Sequence, residues 1–276
     1  MDELATDAVR FGVIGGSGLY ELLDESRLVQ VATPFGRPSA PVAVGSFGGR
    51  TVAFLARHGV GHTIPPHRVP YRANLWALAS LGVRAVIASS AVGSITADLP
   101  ADTFVVPDQL IDRTNGRADT YFEGPDVQHL GFADPFDPVV RTALCDALAA
   151  RGDRFAATGT ALVIPGPRFS TRAESQGWRQ LGADILNMTM HPEAALAAEL
   201  GIAYASLSFV TDADVGHAPG DDSVSAELVF RRLTAARDRI TDTISDALAL
   251  LPDEPRARAL VDGAATARVL ALPATI

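Results

Sequence analysis

Short apolar runs alternate with helical patterns along most of the chain. Residues 11–15, Phe-Gly-Val-Ile-Gly, form a buried strand that opens into a glycine turn. Residues 42–47 and 51–55, separated by Gly48-Gly49, predict a hairpin. A helix is expected over 71–81, closed by Gly82, and buried strands over 85–88 and 103–106, the second ended by Pro107. Residues 137–151 predict a helix with Pro138 in its first turn and Gly152 as its stop. Further along come a strand-like run at 155–164, a helix at 171–181, a short strand at 184–187 and a compact helix at 192–200. The continuous apolar run 202–210 predicts a central strand covered on both faces. Residues 222–251 read as one amphipathic helix on which Leu228, Leu233, Ile240, Ile244 and Leu248 share a face. Residues 255–272 are compatible with a helix. This interleaving predicts the α/β class: a single domain, 1–276, with a central mixed, mostly parallel β-sheet flanked by helices, and a tail, 252–276, left open. The stretch 112–138 is irregular, rich in Gly, Asp and Pro, and bears aromatics; loops this long are usually functional or interfacial.

Composition narrows the chemistry. Apolar residues make up 47% and charged residues 20%, the balance of a globular chain. The formal net charge of −9 argues against nucleic acid and anionic membranes as partners. All 23 basic residues are Arg, so Schiff-base chemistry, a phosphate-loop lysine and protein-kinase chemistry are excluded. Cys145 is the sole cysteine, which rules out an intrachain disulfide, a zinc ribbon or an iron–sulfur cluster and fits a reducing compartment. The acidic N-terminus lacks the features of a secretory signal, and no apolar run approaches the roughly 18 residues of a membrane span. A cytoplasmic location without membrane contact is the expectation.

Six segments carry candidate chemistry. Gly15-Gly16-Ser17-Gly18 follows the first strand, where converging backbone N–H groups suit an anion or simply make a tight turn. The dinucleotide fingerprint fails there, with Glu21 in place of the third Gly, and the esterase elbow fails at Leu19. Arg57-His58-Gly59-Val60-Gly61-His62 offers a guanidinium fork for phosphate oxygens. His58, His62 and His67 also admit a weaker metal reading. Ser89-Ser90-Ala91-Val92-Gly93-Ser94 follows a buried strand, at the sheet edge where ligands bind in open α/β sheets, though it also reads as a turn of small residues. Pro165-Gly166-Pro167-Arg168-Phe169 brings an aromatic to a helix start, while Ser170 or Thr171 serves as a ligand contact or a cap. Asn187-Met188-Thr189 precedes another helix start. Asp212 and Asp214 are carboxylates whose burial is costly unless they are paired or used. If extended, they point to one side and suit a purine edge; a divalent metal or a helix cap are the alternatives.

Taken in order, these segments, with Asn74-Leu75-Trp76-Ala77-Leu78 and Pro192-Glu193, resemble the trimeric purine nucleoside phosphorylases, in the 5′-methylthioadenosine phosphorylase branch. The resemblance implies a nucleoside phosphorylase-like fold. It implies phosphate-dependent cleavage of 5′-methylthioadenosine to adenine and 5-methylthioribose 1-phosphate, with inorganic phosphate as co-substrate and no cofactor or metal. By the family pattern, Ser17, Arg57, His58, Ser90, Ala91 and Thr189 hold phosphate. Met188 contacts the ribose, Phe169 and Ser170 flank the base, and Asp212 and Asp214 read its edge, with Asp212 as catalytic acid. Ala226, Val229 and Phe230 line the 5′ pocket, which leaves methylthio, hydroxyl and halogen substituents open. His129 matches a contact supplied by a neighbouring subunit, so a homotrimer is implied. Ser170 and Asp212 stand where 6-oxopurine enzymes tend to carry Glu and Asn, and a carboxylate accepts from a 6-amino group. Ser17 and Ser90 replace a common Thr; Pro165 and Met190-His191 also depart from the pattern. The competing readings are a purine nucleoside phosphorylase with another base or 5′ preference, a non-catalytic nucleoside-binding module and, more distantly, a nicotinamide-dependent oxidoreductase.

Overall fold

All five residues of the first strand, β1 (Phe11–Gly15), are buried, as a run flanked on both edges and both faces should be. The structure, a computed structural model, describes residues 9–19, 22–23, 25–215 and 224–274. The other strands are β2 (Ser26–Val29), β3 (Val42–Phe47), β4 (Arg50–Ala56), β5 (Ala85–Ser94), β6 (Phe104–Val105), β7 (Gln109–Asp112), β8 (Phe155–Ala156), β9 (Thr160–Val163), β10 (Ile185–Asn187) and β11 (Ala203–Asp212). The helices are α1 (Tyr71–Ser80), α2 (Pro138–Arg151), α3 (Arg172–Gln180), α4 (Met190–Glu199), α5 (Ala226–Leu250) and α6 (Gly263–Leu270). The strands make one mixed sheet ordered β2-β3-β4-β1-β5-β10-β9-β7, with β11, β6 and β8 branching from β5. Among the described residues, six of the ten strand pairings are parallel.

The fork at β5 positions the site. Parallel β11 runs along one edge of β5 from Ala85 to Gly93. On the other edge, β1 pairs with Phe11↔Ala85 through Ile14↔Ala88, and β10 takes over at Gly93 and Ser94. Ser89 to Val92 therefore face a gap between two strands that diverge. Such a gap beyond the carboxyl end of a parallel strand is where open α/β sheets bind ligands.

Local chemistry explains most boundaries. The Asp137 side chain accepts from the N–H groups of Val139 and Val140 at 2.9 and 3.1 Å, Pro138 occupies the first turn of α2, and Gly152 closes it at φ +68°. On α5, Leu233, Ile240, Ile244 and Leu248 are buried and Leu228 is half-buried.

Four expectations change. β5 and β11 run on through Ser94 and Asp212, so Ser89, Ser90 and Asp212 are strand residues and do not belong to the loops beyond. The run 155–164 splits into β8 and β9, because its halves pair with strands on different branches, β6 for one and β7 and β10 for the other. Helix α5 is described from Ala226, after a Ser225 cap, and the expected start at Asp222 lies outside the described residues. Within 255–272, only Gly263–Leu270 is helical; the Asp262 side chain caps it, and Trp76 of α1 donates from its indole to the carbonyl of Val269 at 3.0 Å. The stretch 113–137 contains no helix or strand. It is pinned by Glu199, whose carboxylate accepts from the Thr120 hydroxyl and the Tyr121 amide, each at 2.7 Å. No helix among the described residues is long and apolar enough to cross a membrane.

Candidate functional site

Where β1 ends, the chain passes close to β5. A Cβ on Gly16 would lie 2.3 Å from the carbonyl of Ser89 and 2.8 Å from Nη1 of Arg57, so only glycine fits. The Gly16 amide donates to the Ser89 hydroxyl at 3.1 Å, which closes the top of the fork. Ser17 then faces the cavity.

Arg57, just past β4, is 1% exposed. Its Nε and Nη2 donate to the two carboxylate oxygens of Glu193 at 2.7 and 2.8 Å, and Nη1 donates to the Ser89 carbonyl at 3.0 Å. Glu193 is fully buried and also accepts from the Tyr204 hydroxyl at 2.8 Å. Burial opposes the charge on Arg57, but the adjacent Glu193 carboxylate overrides it and raises the pKa. The two-pronged face expected to meet phosphate is thus turned to Glu193, although Arg57 still lines the cavity.

His58 donates from Nδ1 to the carbonyl of Ile64 at 2.8 Å, which fixes the tautomer and leaves Nε2 as an acceptor. Burial and the positive charge of Arg57 push its pKa down to about 3. His62 stacks on His58 with ring centroids 4.4 Å apart and meets the Phe230 ring edge-on at 5.4 Å. His67 is exposed on the turn before α1, so the three histidines do not converge. Among the described residues no His, Cys, Asp and Glu cluster is arranged to hold a metal ion.

The floor of the cavity is Ser90, Ala91, Val92 and Gly93 of β5, and the Ser90 hydroxyl lies 3.2 Å from that of Ser206 on β11. At the end of β10, the Asn187 side chain accepts from the amides of Thr189 and Met190, both at 2.7 Å. That cap consumes the first N–H groups at the start of α4 and leaves the Thr189 side chain uncommitted to the cap. Met188 packs against the Pro165-Gly166-Pro167 turn so tightly that a Cβ on Gly166 would sit 2.5 Å from its sulfur. Phe169 follows that turn, and Thr171, not Ser170, caps α3 in a reciprocal pair with Glu174.

Asp212 and Asp214 close the far wall. The Asp212 carboxylate accepts from the Thr211 hydroxyl at 2.7 Å and the Asp214 amide at 2.9 Å. Burial, helped by the charge of Asp214, pushes its pKa up to about 6 against those two hydrogen bonds. The extended geometry expected for the pair fails at Asp214, which adopts φ +51°, yet both side chains line the cavity. Ala226, Val229 and Phe230 of α5 complete it, and the enclosed volume is about 320 Å³.

The structure brings together Ser17, Arg57, His58, Ser90, Ala91, Phe169, Met188, Thr189, Asp212, Asp214, Ala226, Val229 and Phe230. Ser170 lies off the wall, with its hydroxyl buried and lacking a hydrogen-bond partner. His129 is exposed on the long loop, away from this chain's cavity. Three contributors lie outside the residues that the motifs single out for phosphate and nucleoside. His62 enters the sequence only as a candidate metal ligand, and Tyr204 is hidden inside a strand. Glu193 carried a signal, a lone acid in the Ala-rich start of α4.

Comparison with known proteins accords with this geometry. Residues 10–249 match the family model described as the phosphorylase superfamily. A purine nucleoside phosphorylase of Streptomyces coelicolor is 48% identical over 249 residues, 87% of this chain and 89% of the relative. An S-methyl-5′-thioadenosine phosphorylase of Mycobacterium tuberculosis is 49% identical over 242 residues, 84% of this chain and 89% of the relative. The methylthioadenosine phosphorylase of Schistosoma mansoni, solved in complex with adenine, superposes with a TM-score of 0.84 at 37% identity, covering 88% of this chain and 91% of that one. Since the family match takes in every strand of the sheet and every residue of the cavity wall, the chain belongs to the phosphorylase superfamily.

Proposed function

We propose that the protein cleaves 5′-methylthioadenosine with inorganic phosphate, releasing adenine and 5-methylthioribose 1-phosphate. One observation carries the reading: a single cavity holds a hydroxyl-and-arginine cradle at one level of β5 and a buried acid of near-neutral pKa further along it. Asp212 pairs in register with Gly93, three residues beyond Ser90, so the strand rise separates the two levels by about 10 Å. That separation accommodates a nucleoside between a phosphate at one end and an acid at the other. The methylthioadenosine phosphorylase activity of the Mycobacterium and Schistosoma relatives supports the same substrate.

In this reading Ser17, Ser90, Ala91, Thr189, His58 and Arg57 hold phosphate. Glu193 keeps Arg57 charged and fixed. Because the neutral His58 presents an acceptor, it takes a hydrogen bond from a protonated phosphate oxygen. Met188 contacts the ribose and Phe169 the face of the base. Ser170, next to Phe169 in the chain and with a buried, unpartnered hydroxyl, flanks the base from off the wall. Ala226, Val229 and Phe230 enclose the 5′ substituent. A phosphate oxygen attacks C1′ as the bond from C1′ to N9 breaks, and the electron pair flows into the purine. The protonated Asp212 carboxyl hydrogen-bonds N7 and donates its proton as charge develops there. Positioning and a matched acid supply the catalysis, with no covalent enzyme intermediate. His129 reaches the 5′ end of a neighbouring subunit's cavity in a homotrimer. A cytoplasmic setting accords with the lone Cys145.

The Streptomyces relative favours a second reading, in which the same fold and chemistry serve another purine nucleoside. A substrate panel separates the two. With phosphate present, base release is expected to be fastest from 5′-methylthioadenosine, ahead of adenosine, 5′-methylthioinosine and inosine. Hypoxanthine release outpacing adenine release would keep the chemistry and overturn the base assignment.

A further inference from the structure

Arg117 lies in the irregular stretch 113–137, outside the cavity wall. Its guanidinium nevertheless binds three carbonyls that belong to that wall's supports. Nη1 donates to the carbonyl of His191, and Nη2 donates to those of Pro165 and Met188 at 2.9 and 2.8 Å. Pro165 leads into the Pro167–Phe169 segment of the cavity, and Met188 and His191 bracket Thr189. The guanidinium also sits over the ring of Tyr71, 5.3 Å from its centroid. The Tyr71 hydroxyl in turn donates to the carbonyl of Pro66 at 2.8 Å, and Pro66 lines the cavity. One side chain thus ties together three separate segments of chain that meet at the cavity.

This arrangement is costly. No carboxylate lies within ion-pair distance of Arg117 among the described residues, and burial pulls its pKa down. A planar fork with fixed donors is suited to holding several carbonyls at set distances, and a lysine ammonium is not. The tolerance on these distances is small, because Met188 and the Gly166 turn already touch.

We propose that Arg117 is a positioning residue for the nucleoside end of the cavity, acting through the backbone of Met188 and of the Pro165–Pro167 turn. The proposal rests on the reading above, in which Met188 and Phe169 meet the nucleoside. Its test compares Arg117→Met and Arg117→Lys with wild type in KM for 5′-methylthioadenosine, KM for phosphate, kcat and thermal midpoint. Nucleoside binding without phosphate is followed by calorimetry.

Arg117→Met is expected to raise the nucleoside KM by at least about tenfold while the phosphate KM stays within about twofold, the pattern of a lost ground-state contact at one subsite. Arg117→Lys is expected to fall between, at roughly threefold or more, and it decides the matter if Arg117→Met does not fold. Thr120→Ala is the control, since it loosens the same stretch at Glu199. It should lower the thermal midpoint and leave the two KM values in their wild-type ratio. Equal changes in both KM values, a loss of thermal midpoint alone, or a Thr120→Ala variant that copies the nucleoside defect would overturn the proposal. Should wild type bind the nucleoside without cleaving it, weaker binding by Arg117→Lys upholds the proposal while the reaction assignment falls. If wild type neither binds nor cleaves it, both fall.

Discussion

Asp212 shows how far a single side chain's chemistry is set by its surroundings. Its carboxyl is 6% exposed and sits beside a second acid, so its pKa rises from 3.8 to about 6. The folded state therefore holds this proton more tightly than the unfolded chain does. Stability from this group is full below the ordinary carboxylate pKa and is lost as the pH rises through about 6. Asn at this position cannot ionise. Asp212→Asn should thus gain on wild type in urea unfolding between pH 4 and pH 8 by up to about 3 kcal/mol. A stability difference that does not change with pH would refute the environment described for Asp212. The same variant should lose about 10²- to 10⁴-fold in kcat/KM on 5′-methylthioadenosine, the usual worth of a general acid. It should also gain relatively on 5′-methylthioinosine, because an amide can donate to a 6-oxo group. Asp212 was legible in the sequence because two acids so close behind a long apolar strand demand a reason. The Arg57–Glu193 pair was only half legible. Arg57 follows a strand and announces an anion site, but nothing in its own neighbourhood says that its fork is spent on a residue in a helix far along the chain.

At the scale of elements, most of the pattern transfers directly from sequence to structure. β1, β3, α1 and α2 lie within a residue or two of their expected bounds, since glycine and proline punctuate them and periodicity fills them. The strands β5 and β11 run longer than expected. Their apolar runs stop at Ala88 and Val210, but each continues because the other supplies a full hydrogen-bonding edge. Serine and aspartate are tolerated in those extensions because a cavity lies beside them. The seam between β1 and β5 is the most exacting contact. Gly16→Ala places a methyl within 2.3 Å of the Ser89 carbonyl, so the strands must part. We expect a loss of about 1–3 kcal/mol in unfolding free energy, as for other overpacked sites, and a phosphate KM that rises more than the nucleoside KM. A Gly16→Ala protein of wild-type stability and phosphate KM would contradict the seam as described.

For the molecule as a whole, the α/β class and the mixed sheet could be read from the interleaved elements, whereas the fork could not. Nothing local marks β5 as the strand that changes neighbours, because the change depends on which distant strands arrive at its edge. The same limit hid the split of 155–164 and the docking of α6 on Trp76. The long loop stands out by composition, yet it is held by long-range contacts such as those of Glu199 and Arg117, which only the folded chain reveals. If this cavity performs phosphorolysis, phosphorus must move from inorganic phosphate to the sugar, and that transfer can be followed. Purified protein is incubated with 5′-methylthioadenosine and inorganic phosphate and monitored by ³¹P NMR, with adenine quantified in the same samples. One sugar 1-phosphate should form for each phosphate consumed and each adenine released, and no adenine should appear when phosphate is left out. Adenine release without phosphate, or release that leaves the phosphorus signal unchanged, would make the protein a hydrolase and contradict the roles assigned to Ser17, Arg57 and Thr189.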